Sequence, residues 1–203
     1  MKEIIFGTQN KAKIDQINGS LQGTNFVVVG LPEGTSKLEI EENGLTAQEN
    51  AHRKATAYAK ILGEVVLAMD NALFFDDLPP EKQPGTKVRR FQDETRSNDG
   101  EVLLYYKNLI ESFHKDEVDG HWEFGLCLAN PNGTCKETTI VSPRKFVANG
   151  SAKVVEGYPL ESIQKDPVTG KIISDMDTRE QGEFWLREIG SKVQDFVVKN
   201  SLL

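Results

Sequence analysis

Val65-Val66-Leu67-Ala68-Met69-Asp70 decides the fold of this chain. Five apolar residues without polar alternation read as a strand buried on both faces. The carboxylate that ends the run is costly to bury unless it serves a partner, a metal or a reaction. Upstream, Thr46-Ala47-Gln48-Glu49 is a capping box, in which the Thr46 hydroxyl accepts from the Glu49 amide and the Glu49 carboxylate reaches back. The helix it opens runs to about residue 62. Ala47, Ala51, Ala55 and Ala59 give that helix a small-residue stripe suited to close packing.

Working outward, residues 2–7 read as a short strand and residues 10–21 as a helix with Ile14, Ile17 and Leu21 on one face. Residues 26–29 form a second buried strand. Residues 31–44 are polar and irregular, and contain Glu33, Glu39, Glu41 and Glu42. After Asp70, residues 73–75 offer a continuation of the central strand. A Pro-rich loop over 76–85 then turns at Pro84-Gly85. Residues 100–113 read as a helix facing inward with Val102, Leu103, Tyr106, Leu109, Ile110 and Phe113. A hairpin is expected from 122–129 and 134–141 around Asn130-Pro131-Asn132-Gly133. Phe146-Val147 and residues 153–155 are short strand candidates. The last helix, 181–199, buries Phe184, Ile189, Val193, Phe196 and Val197. This alternation predicts an α/β fold with an antiparallel stretch in its second half.

Its 203 residues suit a single domain with a sizeable core. With 24 Lys+Arg against 31 Asp+Glu, the net charge of -7 argues against duplex nucleic acid as a partner. No apolar stretch approaches bilayer length, and Met1-Lys2-Glu3 does not open a signal peptide. No membrane association is expected, and cytoplasm is the expected compartment. Cys127 and Cys135 flank the hairpin turn, near each other but one step out of register, and read as free thiols. With His52, His114 and His121 scattered, they do not read as a zinc site.

The polar blocks sit where α/β enzymes keep their ligands, at junctions between buried elements and loops. Thr8-x-Asn10-x-x-Lys13, between a strand and a helix, is a candidate anion cradle of backbone amides, side-chain donors and an ammonium. Asn10 equally suits a plain helix cap, and Lys13 plain surface. Glu42 is a candidate magnesium ligand, since magnesium needs one or two carboxylates when phosphate supplies the rest; the acidic run is equally a solvated rim. Asn50 and Lys54 share a helix face, and Lys54 is a second phosphate candidate or an exposed lysine. Asp70 reads as metal ligand or general base, or as a cap, a role Asn71 fills equally well. Arg90, beside Arg89 and Phe91, offers a planar cation for phosphate.

Together these blocks resemble the Ham1 family, the inosine triphosphate pyrophosphatases acting on non-standard purine nucleoside triphosphates. The resemblance is carried by Thr8, Asn10 and Lys13; by Glu41-Glu42-Asn43-Gly44-Leu45-Thr46 with Glu49-Asn50-Ala51-His52-Arg53-Lys54-Ala55; by Ala68-Met69-Asp70-Asn71-Ala72-Leu73; and by Pro84-Gly85 with Arg90-Phe91. It implies a mixed central sheet with flanking helices and two lobes around a substrate cleft, within one domain over residues 1–203, as a homodimer. It also implies Mg2+-dependent cleavage of a nucleoside triphosphate to the monophosphate and pyrophosphate, as nucleotide-pool house-cleaning. Glu42 and Asp70 would hold the metal, and Asp70 would orient or deprotonate the attacking water. Thr8, Asn10, Lys13, Asn50, Lys54, Asn71 and Arg90 would contact substrate.

The chain departs from the family at Met69, which replaces an acidic residue, and at Asn71-Ala72, which replace Ser-Gly. It also lacks the family's Gly-Phe-Gly-Tyr-Asp-Pro and Ser-His-Arg segments. Tyr158 and Trp185 are the aromatic candidates left for stacking on a base, or a loop anchor and a core residue. Two alternatives stay open: a nucleotide-binding protein without hydrolysis, and the same enzyme type acting on another modified nucleotide.

Overall fold

The computed structural model describes residues 1–35, 40–41, 43–90 and 97–200. Six strands, β1 (Lys2–Phe6), β2 (Phe26–Val29), β3 (Val66–Phe75), β4 (Val118–Ala129), β5 (Cys135–Phe146) and β6 (Gln164–Lys165), form one sheet in the order β2-β1-β3-β4-β5-β6. β1 runs parallel to β2 and β3, while β5 and β6 are antiparallel. The helices are α1 (Lys11–Ser20), α2 (Ala47–Leu62), α3 (Asp99–Glu111), α4 (Thr178–Trp185) and α5 (Ser191–Asn200). This is the expected mixed α/β architecture, with its antiparallel part in the second half.

Two compact units divide the chain. The first comprises Met1–Asn71, Glu123–Ile140 and Trp185–Leu203. Its core sets the alanine stripe of α2 (Ala51, Ala55, Ala59) with Tyr58 against Val66 and Ala68 of β3 and Cys127 and Ala129 of β4. Small residues let helix and sheet approach closely, and Gly125 shows how closely. A Cβ there would lie 2.4 Å from the Ala47 carbonyl carbon and the Gln48 amide nitrogen, so only glycine admits the first turn of α2. Gln48 fixes the contact, donating to the Leu126 carbonyl at 3.1 Å and accepting from the Thr139 hydroxyl at 3.0 Å. At the sheet edge, the Asn18 amide of α1 exchanges two hydrogen bonds with the Val28 backbone, at 3.0 and 2.8 Å. β2 is that edge strand, so only Val28 of its four residues is buried.

The second unit comprises Ala72–Trp122 and Val141–Phe184. Val102, Tyr106 and Ile110 of α3 pack with Leu73, Phe75, Val118, Phe146, Leu160 and Ile163. The Gln83 side chain closes the Pro-rich loop as an extra strand would. It accepts from Phe75 N at 2.8 Å and donates to the carbonyls of Phe75 and Leu78 at 2.7 and 2.8 Å. Arg144 is buried 4.6 Å over the Phe184 ring and donates to the Ser142 hydroxyl and the Pro143 carbonyl.

Burial pushes Glu161, in this unit, up to about 7, although the nearby charges of Arg144 and Lys153 pull the other way. The unfolded carboxyl titrates at 4.5, so between 4.5 and about 7 the folded chain keeps a proton that the unfolded chain has lost. Stability therefore falls as pH rises through that window, by on the order of 3 kcal/mol, and levels off above it. Urea melts across the window are expected to show this slope in the wild type and lose it in Glu161→Gln. An equal slope in both would contradict the assignment.

β3 runs on through Asp70 to Phe75, the continuation expected over residues 73–75, because polar partners in the same unit satisfy the carboxylate. Two other expectations need correction. Residues 153–155 form no strand; Val155 makes only an isolated bridge to Tyr158, and the short partner of β5 is β6. The last helix is α4 and α5 joined through a π-helical turn, Leu186–Gly190. Phe184, Ile189, Val193, Phe196 and Val197 are nonetheless all buried as expected.

Candidate active site

The first unit gathers its polar groups at the sheet end where β1 gives way to α1. Parallel pairing of Phe6 with Leu67, and the bond from Gly7 N to Leu67 O at 2.8 Å, carry the chain past β3 just before Asp70. The Thr8 hydroxyl then accepts from Asn10 N at 3.1 Å. Asn10 is the N-cap of α1, accepting from Ala12 N at 3.0 Å and Lys13 N at 3.4 Å. The capping role foreseen for Asn10 is therefore filled. Lys13 lies half-buried in the first turn.

α2 supplies the other wall. Thr46 caps it by accepting from Glu49 N at 3.1 Å. The Glu49 carboxylate reaches back to Leu45 N at 2.7 Å, one residue beyond the cap, which gives Glu49 a structural task. One turn into the helix, Asn50 and Lys54 point at the same carboxylate. Lys54 Nζ donates to Asp70 Oδ1 at 2.6 Å, and Asn50 Nδ2 donates to Asp70 Oδ2 at 3.0 Å. The side chains of Lys54 and Asp70 are only 11% and 13% exposed, so water screens the pair weakly. Asn50 is itself held, accepting from Gly44 N at 2.9 Å. A Cβ on Gly44 would stand 2.6 Å from Asn50 Oδ1, so glycine at 44 is part of the clamp.

Asp70 thus has one donor on each oxygen and keeps acceptor capacity on both. Beside it, Asn71 Oδ1 is buried with no hydrogen-bond partner among the described residues. Consecutive residues of β3 alternate between the faces of the sheet, so Asn71 and Asp70 do not share one.

Of the sequence candidates, the structure brings Asn50, Lys54 and Asp70 into direct contact. Thr8 and Asn10 meet each other across the turn after β1. Glu42 and Phe91 lie outside the described residues. Met69, in place of an acidic residue, is buried among the apolar residues of β3. Trp185 belongs to the first unit, half-buried, with its ring edge-on to Phe124 at 6.5 Å.

Arg90 and Tyr158 belong to the second unit, both half-buried. There the organising residue is Arg89, the neighbour of Arg90 in the sequence reading. It donates to Asp99 at 2.8 Å and to the Gly157 carbonyl at 2.9 Å, while Gly157 N donates to Asp99 at 2.7 Å. This three-way tie holds the turn that presents Tyr158. Its only local signal was Asp99 in the first turn after the Asn98 cap.

The Ham1 family model matches residues 4–141. The dITP/XTP pyrophosphatase of Desulforamulus reducens is 31% identical over 134 residues, 64% of each chain. That of Geobacter sulfurreducens is 31% identical over 133 residues, 66% of this chain and 65% of that one. The matched stretch thus spans just under two thirds of either relative. The dITP/XTP pyrophosphatase of Prochlorococcus marinus is 27% identical over 201 residues, 95% of this chain and 90% of its own. Among solved structures, the Staphylococcus aureus Ham1 protein superposes with a TM-score of 0.74 at 22% identity, over 98% of this chain and 99% of that one. A HAM1 protein from Coxiella burnetii gives 0.75 at 20% identity, over 98% and 100%. At such identities the likeness is one of fold. The family match covers well over half of the 203 residues, and the chain belongs to the Ham1 family.

Proposed function

We propose that this chain hydrolyses a non-standard purine nucleoside triphosphate to the monophosphate and pyrophosphate, with Mg2+, as a house-cleaning activity. The observation that carries the reading is the clamp of Asn50 and Lys54 on Asp70, in a family whose relatives above are named dITP/XTP pyrophosphatases. A general base must be held in one orientation and keep an open acceptor position, and the clamped Asp70 meets both needs. Its role is to orient the attacking water and accept its proton. Lys54 donates to Asp70 at 2.6 Å, and its ammonium there supplies the positive charge that favours a phosphate oxygen beside the carboxylate. Thr8, Asn10 and Lys13 hold the polyphosphate at the start of α1, where the positive end of the helix dipole favours an anion.

The residues present fit magnesium. Asp70 offers the hard carboxylate oxygens that magnesium prefers, each with one donor and with acceptor capacity left. Asp70 would hold the ion, with Glu42 assigned by its sequence position. When bound, the ion neutralises phosphate charge and polarises the reacting phosphorus. Arg90, Tyr158 and Trp185 are the proposed contacts to the rest of the nucleotide. On the family resemblance, the chain is one catalytic domain working as a homodimer.

The test is a pyrophosphate-release assay over inosine, xanthosine and common triphosphates, with and without magnesium. Turnover of at least one non-standard purine, requiring magnesium, is expected. Measured nucleotide affinity with no turnover would favour the second reading, a binding protein. The burial of Met69 where the family carries an acid gives that reading its support.

A further inference from the structure

On the far side of α2 from Lys54, the first unit assembles four side chains that no part of the hydrolytic reading uses. His52 comes from α2, Cys127 from β4, and Cys135 and Glu137 from β5. The bond from Asn130 N to Thr134 O at 2.8 Å closes the hairpin and sets the two strands face to face. Cys135 and Glu137 alternate onto the same face of β5. Cys135 Sγ lies 3.6 Å from His52 Nδ1 and 3.8 Å from Glu137 Oε1, and His52 Nδ1 contacts Glu137 Oε1 directly. With Cys127 Sγ, the four ligand atoms all lie within 4.8 Å of one another.

We propose that His52, Cys127, Cys135 and Glu137 form a structural site for a borderline-soft divalent transition metal, zinc being the natural occupant. Zinc bonds of about 2.0–2.3 Å in a tetrahedron require ligand atoms roughly 3.3–3.8 Å apart. The two distances from Cys135 already match that edge. Two thiolates and an imidazole select zinc over magnesium, which takes oxygen donors. Four protein ligands close the shell, as in structural rather than catalytic sites. Cys127 is fully buried while His52 and Glu137 are partly exposed, so the ion can enter from the solvent side. A thiol nucleophile would need only one cysteine. Occupied, the site pins α2 to the β4–β5 hairpin and so holds the helix that carries Asn50 and Lys54.

The test uses the full chain, reduced, with both thiols confirmed free by titration and metal removed by chelation. Zinc is then titrated against a chromogenic chelator, and cobalt(II) is used as a spectroscopic probe. One saturable equivalent of zinc is expected, with a higher melting temperature. Cobalt is expected to show tetrahedral d–d bands and thiolate-to-metal charge transfer. Cys135→Ser and His52→Ala, each verified as folded by circular dichroism, are expected to weaken zinc binding by more than about 100-fold, beyond what outer-shell changes cause. No saturable uptake, an octahedral cobalt spectrum, or wild-type affinity in both variants would overturn the proposal.

Discussion

Asp70→Asn is expected to lower kcat by roughly 10²–10⁴-fold, the range that positioned proton transfer contributes. Nucleotide affinity should change little. The substitution keeps shape and still lets Lys54 Nζ donate to the retained oxygen, but it removes the group that can take a proton from water. Asn50 and Lys54 both donate to the carboxylate, at 3.0 and 2.6 Å, so the variant amide keeps the Lys54 bond and loses the one from Asn50. Turnover by the variant within a few-fold of wild type would show that the catalytic carboxylate lies elsewhere. Nucleotide affinity is measured on the same preparation, so that loss of binding is told apart from loss of the chemical step.

Lys54→Met should act on both stability and substrate binding. Methionine keeps the aliphatic stem and removes the ammonium, leaving the Asp70 carboxylate 13% exposed with Asn50 as its one remaining clamp partner. Breaking a buried ion pair from one side costs roughly 3–5 kcal/mol. The remaining exposure of the pair puts the expected loss at the lower end of that range. KM for the triphosphate should rise as well, since the proposed function sets this cation against a phosphate oxygen. The diagnostic measurement is a double-mutant cycle on urea unfolding. Lys54→Met with Asp70→Asn should be less destabilising than the sum of the two single changes, with a coupling of about 0.5–3 kcal/mol. Strict additivity would mean that the 2.6 Å contact carries no net energy.

Much of this arrangement is legible in the sequence where the signal is local. The cap at Thr46, the alanine stripe of α2 and the shared face of Asn50 and Lys54 follow from helical spacing, and all three stand in the structure. The five buried positions of the last helix follow from the same period, although the π-helical turn inside it does not, since a bulge of one residue barely disturbs an apolar stripe.

What the sequence hides is long-range. Lys54 meets Asp70 across 16 positions and Asn50 meets it across 20, and nothing local says which lysine or amide finds the carboxylate. His52 lies 83 positions from Cys135, so four ligands that form one cluster read as scattered residues. In the second unit, β6 has only two residues, too short for any period to show. The family match ends at residue 141, and Tyr158 and Trp185 stand beyond it with no motif to assign them.

The reaction assignment is tested most directly by following one non-standard purine triphosphate with magnesium by phosphorus NMR from the first turnover. Nucleoside monophosphate and pyrophosphate are expected to appear together in equal amounts, with no orthophosphate among the primary products. Orthophosphate as a first product, or an unchanged triphosphate that the protein nonetheless binds, would contradict it.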